Sequence, residues 1–523
     1  LSAIELYDTT LRDGAQTWGV TFSLDDKVRI AQKLDEFGID YIEGGYPGSN
    51  PKDRRFFEIT NTLNFKHSII TAFGSTCRGD LIPEKDPQVE SLLKTRASAV
   101  TIVGKSWDLH VTAILAVSLE RNLGMIRETI DYVRRHFGRV VFDAEHFFDG
   151  FKRNPEYAIK TLEAAASADL MCLCDTNGGT LPSETAEIIR SVRKTVPTPL
   201  GIHNHNDSET AVACSLAAVE AGVKQIQGTI NGIGERCGNA NLISIIPALA
   251  LKMKRIEYAP AKLKLLKHLS EFVDEMANRT PNKSQPYVGA AAFAHKGGLH
   301  SSAVLKVPSA YEHISPEVVG SMRQMPISEQ AGRAALAQKA AEFGIDLTPD
   351  DPRVGEVLKI IKDLEAQGAR YDIADGSFKL LLKRMLGLHK RFFTLHGFSV
   401  TSSKRKGDTK TYSDAVIRIV VRDKMEFSAA EGNGPVHALD NALRQALTTF
   451  YPNVGEVRLT DFKVRVLEGT SGTGATVSVL IESTDGEDVW WTVGFNENVI
   501  QASWNALVDS IDYKLQKDFI GQD

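Results

Sequence analysis

Cysteine is scarce in this chain. There are five in 523 residues, Cys77, Cys172, Cys174, Cys214 and Cys237, with no CxxC pair. An odd, sparse set points to a reducing compartment, so a cytoplasmic setting is expected. Cys172 and Cys174 stand two apart in an apolar run and are expected to share one strand face as buried core thiols. No apolar run approaches the roughly 18 residues needed to span a bilayer. The first residues, LSAIELYDTTLRDG, carry acids early and lack a signal-peptide layout. Neither sign of charge is in large excess: 61 Lys and Arg against 66 Asp and Glu leave −5. That argues against a general binder of nucleic acid or anionic membrane.

Hydrophobic residues make up 42% and charged residues 24%, the balance of a soluble globular chain rather than a disordered one. At roughly 150 residues per domain the length suggests about three domains, one of which can be large because α/β barrels reach roughly 250 residues. The first half alternates short apolar runs with amphipathic stretches. The runs are IELYD (4–8), YIEGG (41–45), SIITAFG (68–74), AVTIVG (99–104), VVFDAE (140–145), LMCLCDT (170–176), LGIHNH (200–205) and QIQGTIN (225–231). Eight such runs separated by helical segments predict a closed (β/α)8 TIM barrel over 1–255. The first βα turn lacks the GxGxxG of a dinucleotide fold. Residues 256–390 read as helical linker subdomains, with amphipathic helices in SEQAGRAALAQKAAEFG and VGEVLKIIKDLEAQG. From 391 to 523 the pattern turns to strands, predicting an α+β domain. GPVHALDNALRQAL (434–447) and NVIQASWNALVDSI (498–511) resemble each other at an offset of 64 residues, consistent with two β–β–β–α halves.

His203 and His205 sit in HNHND at the end of the seventh run, and residues two apart on a strand point to one face. Both imidazoles can then reach one point at the C-terminal mouth of the barrel, where the active sites of this fold lie. A metal pair and a hydrogen-bonded pair at a surface turn are both open readings. Asp13 follows the first strand and Asn239 the eighth, and these strands are neighbours in a closed barrel. The four side chains can converge as two nitrogens and two oxygens. Such a set suits Zn²⁺, Mn²⁺ or Co²⁺, with Mg²⁺ possible, and leaves room for a bidentate substrate. Arg12 can hold a carboxylate or a developing alkoxide, or pair with Glu43. Thr176 can bind a carboxylate or cap a helix, and Glu145 can act as a base or orient one. Gly232, Gly234 and Gly238 permit close backbone approach to a ligand.

The motifs DTTLRDG, HNHND and GERCGNAN resemble those of the metal-dependent Claisen-condensing barrels, the isopropylmalate, homocitrate and citramalate synthases. Within that group IEGGYPGSNPKD, FDAEHFFDG, AFAHKGGLHSSAVLK and DGEDVWWTVGFNENVIQASWNALVDSIDYKL resemble the (R)-citramalate synthase branch, so the resemblance spans essentially the whole chain. It implies a divalent metal on Asp13, His203, His205 and Asn239. Arg12 would stabilise the substrate oxygen and Thr176 hold the oxo-acid carboxylate. His300, in GGLHSS, would be the catalytic histidine, with Glu145 its partner carboxylate and Tyr311, in SAYEHI, in support. The implied reaction joins acetyl-CoA to pyruvate in a homodimer whose 391–523 domain binds isoleucine as feedback inhibitor, with EGTSGTGA (468–475) a plausible ligand loop. One departure is visible: where the branch pairs two arginines, Arg323 is followed here by Gln324. Rival readings are condensation with 2-oxoisovalerate or with 2-oxoglutarate, the latter needing a cation such as Lys105. An acyl-CoA lyase and a non-catalytic amino-acid sensor complete the alternatives.

Overall fold

The structure is a computed structural model. It describes all residues except 1–3, 297–299, 301–302, 305, 327–331, 370, 405–408, 468–473 and 521–523. The eight apolar runs form the eight parallel strands of a closed barrel in chain order. They are β1 (Glu5–Asp8), β2 (Tyr41–Gly45), β3 (Ile69–Ser75), β4 (Ala99–Lys105), β5 (Arg139–Glu145), β6 (Leu170–Asp175), β7 (Leu200–Asn204) and β8 (Gln225–Gly228). β1 closes the ring by pairing with β8 on one side, Tyr7 opposite Gln227, and with β2 on the other. β2, β6 and β7 are buried along their whole length, because helices cover one face and the ring interior the other.

Several barrel helices begin where a side chain satisfies a first-turn amide. Ser23 and Asp26 form a reciprocal capping box ahead of Leu24–Phe37, which then buries Ile30, Ala31, Leu34 and Phe37 toward the strands. That outer layer is aliphatic and aromatic, with Leu6, Ile42, Phe56, Ile102, Phe142 and Ile226. The ring interior is different. Only Val141, Leu170, Cys172 and Cys174 form an apolar cluster there, while Tyr7, Glu43, Thr101, Gln225 and Gln227 are buried polar side chains. Cys172 and Cys174 are therefore buried on one strand face. Cys77 and Cys214 are also buried, Cys237 is exposed, and all five are free thiols.

The chain forms two compact units. One holds Leu1–Phe293 with Ile314–Met322, the other Ala294–His313 with Arg323–Asp523. The helix Leu266–Met276 belongs to the barrel unit, because Leu266, Leu269 and Val273 fall on one face and enter the barrel core. In the second unit the helices Arg333–Glu342, Arg353–Ala366 and Asp375–Met385 pack around Leu336, Val354, Ile361 and Phe378. Two three-stranded antiparallel sheets follow. The first, β9 (Phe393–Ser403), β10 (Tyr412–Val421) and β11 (Lys424–Gly432), leads into the helix Pro435–Thr448. The second, β12 (Arg458–Val466), β13 (Val477–Thr484) and β14 (Val489–Asn496), leads into the helix Val499–Ile520. The two halves share a core of Ile417, Leu443, Val479, Ile481, Trp490 and Trp504. Among the described residues no helix is long and apolar enough to cross a membrane.

Candidate active site

The C-terminal ends of β1, β7 and β8 bring together the residues that their positions at strand ends suggested. His203 Nε2 lies 3.3 Å and His205 Nε2 3.8 Å from the same oxygen, Asp13 Oδ2. Asn239 Nδ2 is 3.1 Å from both Asp13 Oδ2 and His203 Nε2. The loop after β8 reaches the histidines because the backbone stitches it to β7. Asn206 N donates to Gly238 O at 2.8 Å and Ala240 N to Asn204 O at 2.9 Å. The glycines of NGIGERCGN serve this folding. Gly238 adopts φ 94°, and a Cβ on Gly234 would sit 1.7 Å from Asn239 Oδ1.

The chemistry of this group fits a divalent cation. Asp13, His203 and His205 offer one carboxylate and two imidazole donors within mutual reach. Asp13 Oδ1, Asn239 Oδ1 and His205 Nδ1 are buried without a protein hydrogen bond, which is costly unless a ligand takes up such atoms. Asn239 can ligate through Oδ1 only, so its amide must turn over to join the set. Burial alone would push the Asp13 carboxyl up. The Arg12 guanidinium and both imidazoles outweigh it and hold Asp13 well below the usual carboxylate range. Burial, then the charge of His203, holds His205 down at about 4, so it is an uncharged nitrogen donor at neutral pH.

Arg12 forms the pair with Glu43 that its position allowed. Its Nε donates to Glu43 Oε2 at 2.5 Å, and its guanidinium lies 4.0 Å over the Phe73 ring while lining the cavity. Glu43 is in turn fixed by the Tyr7 hydroxyl at 2.9 Å. Below His203, Gln227 and Asp143 continue the polar interior. Asp143 is pushed up to about 7 by burial first and then by Glu43. Asp143 also forms a second metal-capable group with Cys172 and Cys174. Burial pushes Cys172 well above an ordinary thiol, and Cys174 stands at about 11, so these sulfurs keep their protons. That makes the group a poor metal site beside the one above it.

These residues open onto a cavity of about 560 Å³, whose lining includes Arg12, Asp13, Glu145, Thr176, His203 and His205. Thr176 is not a helix cap, since the next helix starts at Pro182. Its Oγ1 accepts from His146 N at 2.9 Å, which leaves the hydroxyl hydrogen to donate. Arg236 was not singled out by the sequence. It donates to Thr176 O at 2.6 Å and to Asp207 Oδ1 at 2.8 Å, bracing the strand end that carries Thr176. Glu145 forms an ion pair with Lys105 across the β4–β5 ends. Lys105 is therefore committed to Glu145 rather than held as a lone cation for a distal carboxylate.

His300 and Tyr311 lie in the second unit, where their rings are 4.6 Å apart and both side chains are exposed. Arg323 closes a two-point ion pair on Glu312, with both contacts at 2.6 Å, and Gln324 bridges to Ala294. The glycine- and threonine-rich stretch 468–473 and residues 297–299, 301–302 and 305 of the histidine-bearing stretch lie outside the described residues.

Residues 3–273 match the HMGL-like family model, 287–369 the homocitrate synthase post-HMGL domain-like model, and 372–515 the LeuA allosteric (dimerisation) domain model. The chain is 54% identical to an (R)-citramalate synthase of Geobacter sulfurreducens, covering 99% of this chain and 98% of that one. It is 54% identical to an (R)-citramalate synthase of Aquifex aeolicus, with 98% of each covered. A probable 2-isopropylmalate synthase of Methanopyrus kandleri is 31% identical over 97% of this chain and 98% of its own length.

Proposed function

The chain belongs to the HMGL-like family and, within it, to the (R)-citramalate synthases, and on that premise we propose that it condenses acetyl-CoA with pyruvate and water to give (R)-citramalate and CoA. The observation that carries this reading is the convergence of His203 and His205 on Asp13 beside Arg12, in a chain 54% identical over nearly its full length to synthases of that name.

Asp13, His203 and His205, with Asn239 through Oδ1, would hold a divalent ion: Mn²⁺, Co²⁺ or Zn²⁺, with Mg²⁺ possible. When bound, that ion supplies Lewis acidity to the keto oxygen of the 2-oxo acid. Arg12, locked by Glu43 and Phe73, meets the negative charge that grows on the same oxygen and needs no reorganisation to do so. The free Thr176 hydroxyl hydrogen donates to the substrate carboxylate. His300, assisted by Glu145 and with Tyr311 in support, does the acid–base work: a proton leaves the acetyl methyl as the new carbon–carbon bond forms at the keto carbon. Water then cleaves the thioester and releases CoA.

The reading includes a functional division into a catalytic barrel (1–255), helical linkers (256–390) and a regulatory domain (391–523), working as a cytoplasmic homodimer inhibited by isoleucine. The match of residues 372–515 to a dimerisation domain supports the dimer. So do the sheet faces. β12 carries Phe462 and Val464 on the same side as their buried β13 partners, Ile481 and Val479, yet leaves both exposed. On the first sheet Phe427 and Val416 are likewise exposed. The deciding experiment follows free thiol release with acetyl-CoA and a panel of 2-oxo acids. Pyruvate is expected to be preferred. Preference for 2-oxoisovalerate would make the chain an isopropylmalate-forming enzyme, and no turnover with any of them would return it to the lyase or sensor readings.

A further inference from the structure

The ring of His203 is held at both nitrogens. Nε2 faces Asp13 and Asn239, while Nδ1 turns inward and lies 2.9 Å from Oε1 of Gln227. An amide oxygen only accepts, so Nδ1 carries a proton, which leaves Nε2 as the nitrogen able to ligate a metal. The amide is oriented from below in its turn, because its Nε2 donates to Asp143 Oδ1 at 2.9 Å. A reversed amide would set its NH₂ against the ring and its oxygen against the carboxylate. The alignment is built into the strands: β7 and β8 place His203 directly opposite Gln227, and Asp143 reaches the same layer from β5. Gln227 is fully buried, and Asp143 and His203 nearly so, which shields the chain of hydrogen bonds from competing water.

We infer that Gln227 and Asp143 are a positioning pair that locks His203 as the Nδ1–H tautomer and aims its Nε2 at the metal. The inference rests on the metal site proposed above. Metal-bound histidines commonly direct their second N–H at a carboxylate or carbonyl. Here an amide stands between the ring and the carboxylate. A carboxylate at position 227 would add a further negative charge to an interior that already holds Glu43 and Asp143. The amide passes on the orientation and keeps that charge one residue away from the ring. Gln227 is a positioning residue and takes no part in bond making.

The test measures Co²⁺ binding to the metal-stripped full chain by its visible absorption, in competition with a chelator, together with ¹⁵N spectra of labelled histidine. Gln227→Met keeps the reach and removes the acceptor. It is expected to weaken Co²⁺ binding by about 10–100-fold and to lose the Nδ1–H signature of His203. Gln227→Glu, which keeps an acceptor for Nδ1, should stay within about threefold of the parent, since it preserves the same outer hydrogen bond. If Gln227→Met does not fold, Asp143→Asn takes its place. By letting the amide turn over it should weaken Co²⁺ binding several-fold. A parent that binds Co²⁺ while Gln227→Met, or Asp143→Asn in its place, binds it within twofold overturns the pair alone. A parent that binds no Co²⁺ overturns the metal site, and the pair with it.

Discussion

Inside the barrel, polar side chains occupy positions that the closed ring shuts off from water. Tyr7, Glu43, Thr101 and Gln227 are all fully buried. On the sheets of the C-terminal domain, apolar side chains stand in water: Phe427 is 64% exposed, Val466 55% and Val464 47%. Both regions depart from the usual sorting of side chains, in opposite directions. A buried polar group costs free energy unless it is partnered, and Tyr7, Glu43, Thr101 and Gln227 all have hydrogen-bond partners inside the ring. Asp13 Oδ1, Asn239 Oδ1 and His205 Nδ1, on the residues of the candidate metal site, are left without a protein partner. An exposed apolar face also costs free energy, and covering it with another chain recovers that cost. Each departure suits a different kind of ligand: an ion and a small polar substrate in the barrel, a protein surface on the sheets.

The comparison breaks if a change in one region moves the other region's readout. The largest effect is expected at the mouth. His203→Ala should lower kcat by about 10³-fold or more, since it removes a donor that fixes charge stabilisation in place. Its far-UV spectrum should stay unchanged, and so should its oligomeric state. Exhaustive chelation should abolish activity and Mn²⁺, Co²⁺ or Zn²⁺ restore it. Full turnover by a chain that elemental analysis finds metal-free would end the metal reading.

His300→Ala is the informative exception, because this residue belongs to the second unit yet is assigned to the chemistry. A loss of about 10²-fold in kcat is expected, the scale of general acid–base catalysis, with metal content unaltered. Near-normal kcat would confine the chemistry to the barrel.

On the sheet side, Val464→Asp should dissociate the dimer at least tenfold more readily in sedimentation runs, a cost of about 1.4 kcal/mol or more. It should also remove inhibition by isoleucine, whose coupling to the active site is expected at roughly 1–3 kcal/mol. Leucine and valine are the controls. Inhibition by leucine alone would contradict the citramalate assignment, and an unchanged dimer would leave β12 without its partner.

A separate effect concerns the cost of burying acids in the barrel. Burial pushes the Asp8 carboxyl up to about 7, against hydrogen bonds from Thr10 that pull it down. Between about pH 4 and 7 the unfolded chain has released this proton while the folded chain keeps it. Stability should therefore fall as pH rises through that window, by up to about 1.4 kcal/mol per pH unit from this one group. Urea unfolding of the metal-free chain at several pH values should show the slope, and Asp8→Asn should flatten it. Equal slopes in the two chains would rule Asp8 out as the source.

Much of this was legible from order and spacing alone. Seven of the eight apolar runs became strands within one residue of where they were read and the eighth ends three residues earlier, because a strand buried on both faces writes itself as a continuous apolar stretch. Asp13, His203, His205 and Asn239 could be placed together because strand ends in a closed barrel all face one mouth. The 64-residue repeat announced two halves, and each half is three strands and a helix. Two of those six strands, β11 and β14, are the hardest to read, since KMEFSAAEG and VWWTVGFN do not alternate cleanly between apolar and polar residues.

What the sequence by itself determined is the set of elements, their order and the face each side chain takes, since these follow from local periodicity. Only the tertiary structure decided which polar side chains meet. Gln227 finds Asp143 from 84 residues away, and Gln225 finds Glu5 from 220. Lys105 is claimed by Glu145, Arg236 braces Thr176, and the inner face of β12 stays open. Periodicity says that a residue points inward but not what stands opposite. That is set by the register and closure of the whole ring, where residues far apart in the chain arrive at one layer.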